Sequence, residues 1–341
     1  MMTREVGDTL RGPWRPGRPR RNRGTTMGNR GLTTTVTDWL AYLAVRAAIC
    51  IVQALPRPFL ERQARGWSDF LANRVKIRRT VVRDNLRQAF PDWTDEQCRD
   101  TARAMWEHLL LMVVEIAHAP RVIRKTTWRR HLRVEGMETL VRTLWLDRPK
   151  VVLSGHFGNF ELAAYLFGVF GFKLFSVARE LDNPLLDRFV TEFRESRGQT
   201  ILPKRGSAPD VAAVLDEQGA IGLLGDQAAG PKGCRVDFFG RPASVHKAIG
   251  VFALSSEAPV LVCSATRRAG LFSLDLRVEG LLDPRSDCPE AAGLTALSQW
   301  YTTLLEGAVR RRPGQYWWVH RRWRCFDKPA EATDGKSRAA A

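Results

Sequence analysis

The stretch VVLSGHFGNFEL, residues 151–162, opens on a continuous apolar run, turns through Gly155 and Gly158 on either side of His156, and ends on an apolar segment carrying Glu161. A short apolar run stopped by glycine is the pattern of a strand buried on both faces, because only such a strand has no water-facing positions to alternate. The same pattern recurs in AIGLLGD at 220–226 and PVLVCSA at 259–265, with longer helical patterns such as Pro184 to Ser196 between the runs. Buried strands alternating with helices predict an α/β fold: a largely parallel central sheet flanked by helices, with functional groups at the carboxyl ends of the strands. SGHFGNFEL sits at such an end.

The placement of the glycines decides what His156 and Glu161 can do together. On one continuous helix, five residues would leave the two side chains about 140° apart and unable to cooperate. If instead VVLS ends as a strand, Gly155 and Gly158 let the chain turn tightly and Glu161 falls in the first turns of the next helix, so both can converge above the sheet edge. That arrangement suits general-base chemistry, with a neutral imidazole taking a proton from a hydroxyl while a carboxylate holds the other ring nitrogen. The bland alternative is a histidine packed at a strand end with Glu161 on a solvated helix face. VLSGH lacks the Gly-x-Ser-x-Gly elbow of a serine hydrolase, and His-x4-Glu lacks the His-Glu-x-x-His spacing of zinc peptidases.

Upstream, residues 1–36 contain runs such as RGPWRPGRPRRNRG with no apolar periodicity, which reads as a disordered basic arm, with Met27 a candidate start. Residues 37–56 hold an apolar segment whose Trp39, Arg46 and Gln53 recur every seven positions and so share one face. Such a helix lies in a membrane interface, or spans it with the stripe packed on protein. From 57 to about 120 the pattern is a helical lead-in, with the capping-box signal TDEQ at 94–97. The main folded domain is expected over 57–327, and 328–341 as a frayed tail.

With 53 Lys and Arg against 36 Asp and Glu, the chain carries a formal charge of +17, which points to an acidic partner or an anionic surface. Six scattered cysteines without close pairs give neither a zinc knuckle nor a redox dithiol and read as reduced thiols. The arginines at 310–312 and at 321, 322 and 324, interleaved in the second case with Trp317, Trp318 and Trp323, read as solvated or near-membrane faces. The FFG at 238–240 reads as a hairpin packing element.

SGHFGNFEL also resembles the His-x4-Asp/Glu motif of the glycerolipid acyltransferase superfamily, in the form typical of the late acyltransferases of bacterial lipid A biosynthesis. VVRDNLRQAFPDWT before the motif, ARELDNPLLDRFVTEFRESRG and GLLGDQAAGPKGCRVDFFGRPASV after it, and PGQYWWVHRRWR near the end extend the resemblance over roughly 37–327. It implies transfer of a fatty acyl group from an acyl thioester, on acyl carrier protein or coenzyme A, to a hydroxyl of a membrane glycolipid, without metal or cofactor. His156 would be the base and Glu161 its partner, with Asn159, Arg179 and Asp226 as substrate-contacting residues. It further implies an anionic membrane surface as partner, no nucleic acid, and an inner-membrane location with the catalytic domain on the cytoplasmic side. Phe160 stands where tryptophan is common in this family, and His246-Lys247 where a Pro-Gly is more usual. Three alternatives stay open: a thioesterase at the same pair, transfer to another acceptor such as a mannosylated inositol lipid, and a basic binding protein without chemistry.

Overall fold

The structure, a computed structural model, describes residues 32–74 and 78–326. Most of the basic arm and the C-terminal tail lie outside the described residues. The elements run α1 (Leu32–Ala54), α2 (Arg57–Asn73), α3 (Arg79–Ala89), α4 (Asp95–Val122), β1 (Leu132–Glu135), α5 (Met137–Trp145), β2 (Lys150–Ser154), α6 (Phe160–Val169), β3 (Leu174–Ala178) and α7 (Pro184–Glu195). They continue β4 (Gln199–Pro203), α8 (Ala208–Asp216), β5 (Ala220–Leu224), β6 (Cys234–Phe238), β7 (Arg241–Val245), α9 (Lys247–Ser255), β8 (Val260–Arg267), β9 (Leu274–Leu282) and α10 (Leu294–Arg311).

Seven strands form one sheet in the order β1-β9-β8-β2-β5-β3-β4, parallel at every pairing except β8 with β9. This is the mainly parallel α/β sheet that the apolar runs predict. Its central strand β2 alternates inward residues between two cores: Val151 and Leu153 join the larger cluster with α9 and α10, while Val152 joins the cluster under α6 and the end of α4. Covering both faces is what makes VVL a continuous apolar run. Each such side chain contributes roughly 1.5–3 kcal/mol by leaving water.

The apolar N-terminal helix α1 begins at Leu32, earlier than the expected 37, and its 20 residues Thr35–Ala54 have a mean hydropathy of 1.5. By length and composition it is long enough to cross a membrane. Its polar groups turn towards protein. Gln53 Nε2 donates to the Ala117 carbonyl of α4 at 2.5 Å, the Asn183 amide donates to the Asp38 carbonyl at 2.9 Å, and Arg46 lies 5.1 Å from the Phe189 ring of α7. The capping box at the start of α4 is formed as expected, with Gln97 N donating to Thr94 Oγ1 at 3.2 Å and Thr94 N donating to Gln97 Oε1 at 2.8 Å. FFG closes the β6–β7 hairpin, with Phe239 and Gly240 both at positive φ.

In the C-terminal arginine and tryptophan segment Arg310, Arg311, Arg312, Arg321 and Arg324 are exposed, as the surface reading expects, and three residues correct it. Trp318, Trp323 and Arg322 are almost fully buried. Arg322 Nη1 donates to the Ser244 carbonyl at 2.7 Å and its guanidinium stacks 4.9 Å from the Phe238 ring, so these three side chains pack into the core while their arginine neighbours stay outside. An arginine flanked by tryptophans looks interfacial in sequence, yet here a carbonyl, an aromatic face and the nearby Asp226 carboxylate compensate its burial.

Candidate active site

Beyond Ser154 the chain leaves β2 and turns sharply through residues 155–159 before α6 begins. Gly158 adopts φ +60 and sits against the Ala265 carbonyl of β8 so closely that a Cβ could not fit. The turn is tied down on three sides. Asn159 N donates to the Ala265 carbonyl at 2.7 Å, Gly158 N to the Gln315 carbonyl at 2.9 Å, and Trp317 N to the His156 carbonyl at 3.0 Å. The PGQYWW segment therefore acts as a clamp over the turn.

Behind the turn lies a buried polar cluster. Glu115, on α4 and fully buried, accepts from Arg267 Nε at 2.9 Å, Arg267 Nη2 at 2.6 Å, Asn159 Nδ2 at 2.8 Å and Phe272 N at 3.1 Å. Arg267 Nη1 donates to His108 Nδ1 at 2.9 Å, leaving the ring proton on Nε2 to be donated to the Gly158 carbonyl at 3.1 Å. Burial and the Arg267 charge push His108 down to about 3, so it stays neutral. Asn159, expected to touch substrate, is instead fully buried: it caps α6 by accepting from Leu162 N at 3.1 Å and does not line the cavity. His108 and Glu115, seven residues apart, share one face of α4, but no sequence pattern joins them to Arg267, which reaches both from the end of β8.

His156 faces outward from this frame. Its Nδ1 donates to Asp226 Oδ1 at 2.8 Å, and its Nε2 accepts from the Gln227 amide at 3.1 Å. Phe160 and Trp317 flank the ring edge-on at 5.0 and 5.3 Å. The carboxylate against the ring nitrogen is thus Asp226, not the expected Glu161. Glu161 does project from the first turn of α6 into the same cavity, but it is engaged by Arg194, which donates from Nη2 at 2.5 Å and from Nε at 3.0 Å.

Burial pulls the His156 imidazole down, but the Asp226 charge and hydrogen bond, with Glu161 adding to them, outweigh it and leave it above its ordinary 6.5. Burial would raise Asp226, yet His156, that residue's backbone N–H and Arg322 hold it below the usual carboxylate range. Burial and the adjacent Asp226 keep Tyr316 protonated. The Arg179 side chain is largely exposed at the cavity wall, 3.5 Å from Asp182.

The cavity is about 1660 Å³ and runs from His156 and Gln227 between α6, α7 and strands β3 and β5. Its inner wall is apolar, with Phe167, Leu174, Val177, Phe189 and Phe193. Cationic groups, Arg46, Arg179, Arg194 and Lys204 among them, stand along it.

These features define an α/β protein that presents a carboxylate-backed histidine, at the carboxyl edge of its sheet, to a long apolar cavity. Residues 30–325 match the sequence profile of the bacterial lipid A biosynthesis acyltransferases, and the chain belongs to that family; it is an acyltransferase. It is 24% identical over 282 residues to the lipid A biosynthesis palmitoleoyltransferase of Escherichia coli (strain K12), covering 80% of this chain and 82% of that protein. It is also 24% identical over 294 residues to the lipid A biosynthesis lauroyltransferase of the same organism, covering 84% and 92%. A distant structural likeness, with a TM-score of 0.37 and 14% identity, extends over 76% of this chain and 99% of the 1-acyl-sn-glycerophosphate acyltransferase of Thermotoga maritima.

Proposed function

We propose that this acyltransferase moves a fatty acyl group from an acyl carrier protein thioester to a hydroxyl of a lipid A precursor, with His156 as the general base. The observation that carries the reading is the His156–Asp226 pair opening on an apolar cavity. With its proton held on Nδ1 by Asp226, the ring offers the Nε2 lone pair to an acceptor hydroxyl. The hydroxyl oxygen forms a bond to the thioester carbonyl carbon while its proton passes to Nε2. As the tetrahedral intermediate collapses, the carbon–sulfur bond breaks and the imidazolium returns that proton to the leaving thiolate. Asp226 stabilises the imidazolium between the two transfers, as a buried carboxylate does best when already ionised.

Glu161 acts here through its field on His156 and through its ion pair with Arg194, which fixes α7 against α6 at the cavity wall. Arg179 contacts a substrate phosphate or the developing oxyanion, for which its paired donors are suited. An acyl chain in the cavity gains roughly 0.8 kcal/mol per buried methylene, enough to hold a dozen carbons. The basic charge of the chain favours both an acidic carrier protein and a phosphorylated lipid at an anionic inner-membrane surface, with the catalytic domain on the cytoplasmic side. Thiol release from a dodecanoyl acyl carrier protein, with and without a lipid A precursor, tests the reading. Release that needs the acceptor and disappears in His156→Ala supports it; release indifferent to acceptor points to a thioesterase, and full activity in His156→Ala removes the base assignment.

A further inference from the structure

The Nε2 atom of His156 is already occupied. In the neutral ring whose Nδ1–H donates to Asp226 at 2.8 Å, Nε2 is a lone-pair acceptor, and the Gln227 Nε2 amide facing it at 3.1 Å is its donor. An attacking hydroxyl oxygen has to reach about 2.6–3.2 Å from that nitrogen. The amide therefore stands where the acceptor must come. Gln227 makes no other side-chain hydrogen bond among the described residues.

The backbone on both sides is fixed. Asp226 is buried against His156, and Ala228 N donates to His320 Nε2 at 3.0 Å. Movement of the cap is thus confined to the Gln227 side chain, which is half-buried and borders the cavity into which it could swing. A neutral amide suits this task. It can be exchanged for a neutral hydroxyl at the cost of one modest hydrogen bond, whereas a carboxylate or ammonium would bind too tightly or shift the base.

From this geometry we infer that Gln227 caps the catalytic base in the resting enzyme, withholding it from water until the lipid acceptor displaces the amide. This rests on the reading of His156 as base. In the uncapped enzyme a water oxygen would bond to the thioester carbonyl carbon, its proton going to Nε2; the carbon–sulfur bond would break, the thiolate would take that proton, and a free fatty acid would leave. The cap disfavours that hydrolysis and leaves transfer open, because a lipid fitted into the cavity competes for Nε2 better than a single water.

Two variants test it: Gln227→Ala, and Gln227→Met, which keeps side-chain length and drops the donor. Both are expected to raise acceptor-independent thiol release from dodecanoyl acyl carrier protein about fivefold, the worth of one hydrogen bond of ~1 kcal/mol. Carbethoxylation of His156 by diethyl pyrocarbonate, followed by peptide mass, should quicken by a similar factor, because that reagent attacks the free ring nitrogen. Unchanged or slower hydrolysis in both variants, with unchanged carbethoxylation, overturns the cap. If hydrolysis does not depend on His156 at all, the base reading fails instead, and the carbethoxylation rates still decide whether Gln227 covers the ring.

Discussion

Replacing Glu115 by alanine tests whether the turn carrying His156 is held from behind. The carboxylate accepts four hydrogen bonds in a site that water does not reach, two from Arg267, one from Asn159 and one from Phe272 N. Its removal leaves the buried Arg267 cation unpaired and two N–H donors without acceptors. A broken buried ion pair costs about 3–5 kcal/mol because the surviving charge cannot recover its hydration. At roughly 1.5 °C per kcal/mol for a chain of this size, the melting midpoint should fall by about 4–8 °C. Removing both charges, in Glu115→Leu with Arg267→Met, should cost less than Glu115→Ala alone, since no orphaned cation remains. Turnover should fall in the single variant even well below its midpoint, because Asn159 loses the contact that fixes the start of α6. The assay is a thermal melt of the purified enzyme followed by initial rates at a temperature where every variant is folded. A shift under about 2 °C, or a double variant no more stable than the single, would refute the reasoning.

Because the free base must be neutral and its folded pKa lies above 6.5, kcat/KM should rise with pH along an acid limb centred above 6.5, read from a pH–rate profile; a limb below 6.5 counts against His156 as base. Any stability from the His156–Asp226 pair has the opposite sense: it is complete below the unfolded pKa near 6.5 and is lost as pH rises through the folded one. Arg194→Ala uncovers the Glu161 carboxylate beside His156, so the acid limb should move to higher pH; a limb that stays or falls means Glu161 exerts no field there. Gly158→Ala combines positive φ with a collision against the Ala265 carbonyl, and should lower the melting midpoint by several degrees together with activity. Arg179→Lys keeps the charge and loses the paired donors, so turnover should drop about tenfold, a loss of ~1.4 kcal/mol; unchanged turnover would reject its contact with substrate.

The strands β2, β5 and β8 were legible because each falls in an apolar run that ends on a small or polar residue. β3, β4, β1 and β9 were not, since polar residues such as Ser176, Gln199, Arg133 and Asp275 interrupt their apolar runs. Arg322 shows the limit of composition: its neighbours read as an interfacial belt, and only the fold shows a carbonyl and an aromatic face awaiting the guanidinium.

That the carboxylate on the His156 ring nitrogen is Asp226 and not Glu161 has a topological reason. Glu161 is five residues away along the chain, whereas Asp226 is seventy away, yet β2 and β5 are adjacent and parallel with Ser154 opposite Leu224. His156 and Asp226 each lie two residues past that pairing, so the register itself sets them face to face. The signal was present in the paired endings LSGH and LLGD, two buried strands that each stop at a glycine followed by an ionisable residue. Gly155 is part of the same device: a methyl there would stand 3.2 Å from Asp226 Cγ, inside the usual carbon–carbon separation of about 3.5–4.0 Å. A side chain at 155 would thus need the Asp226 carboxylate to give by a few tenths of an ångström, so the glycine leaves that carboxylate room to sit against the His156 ring.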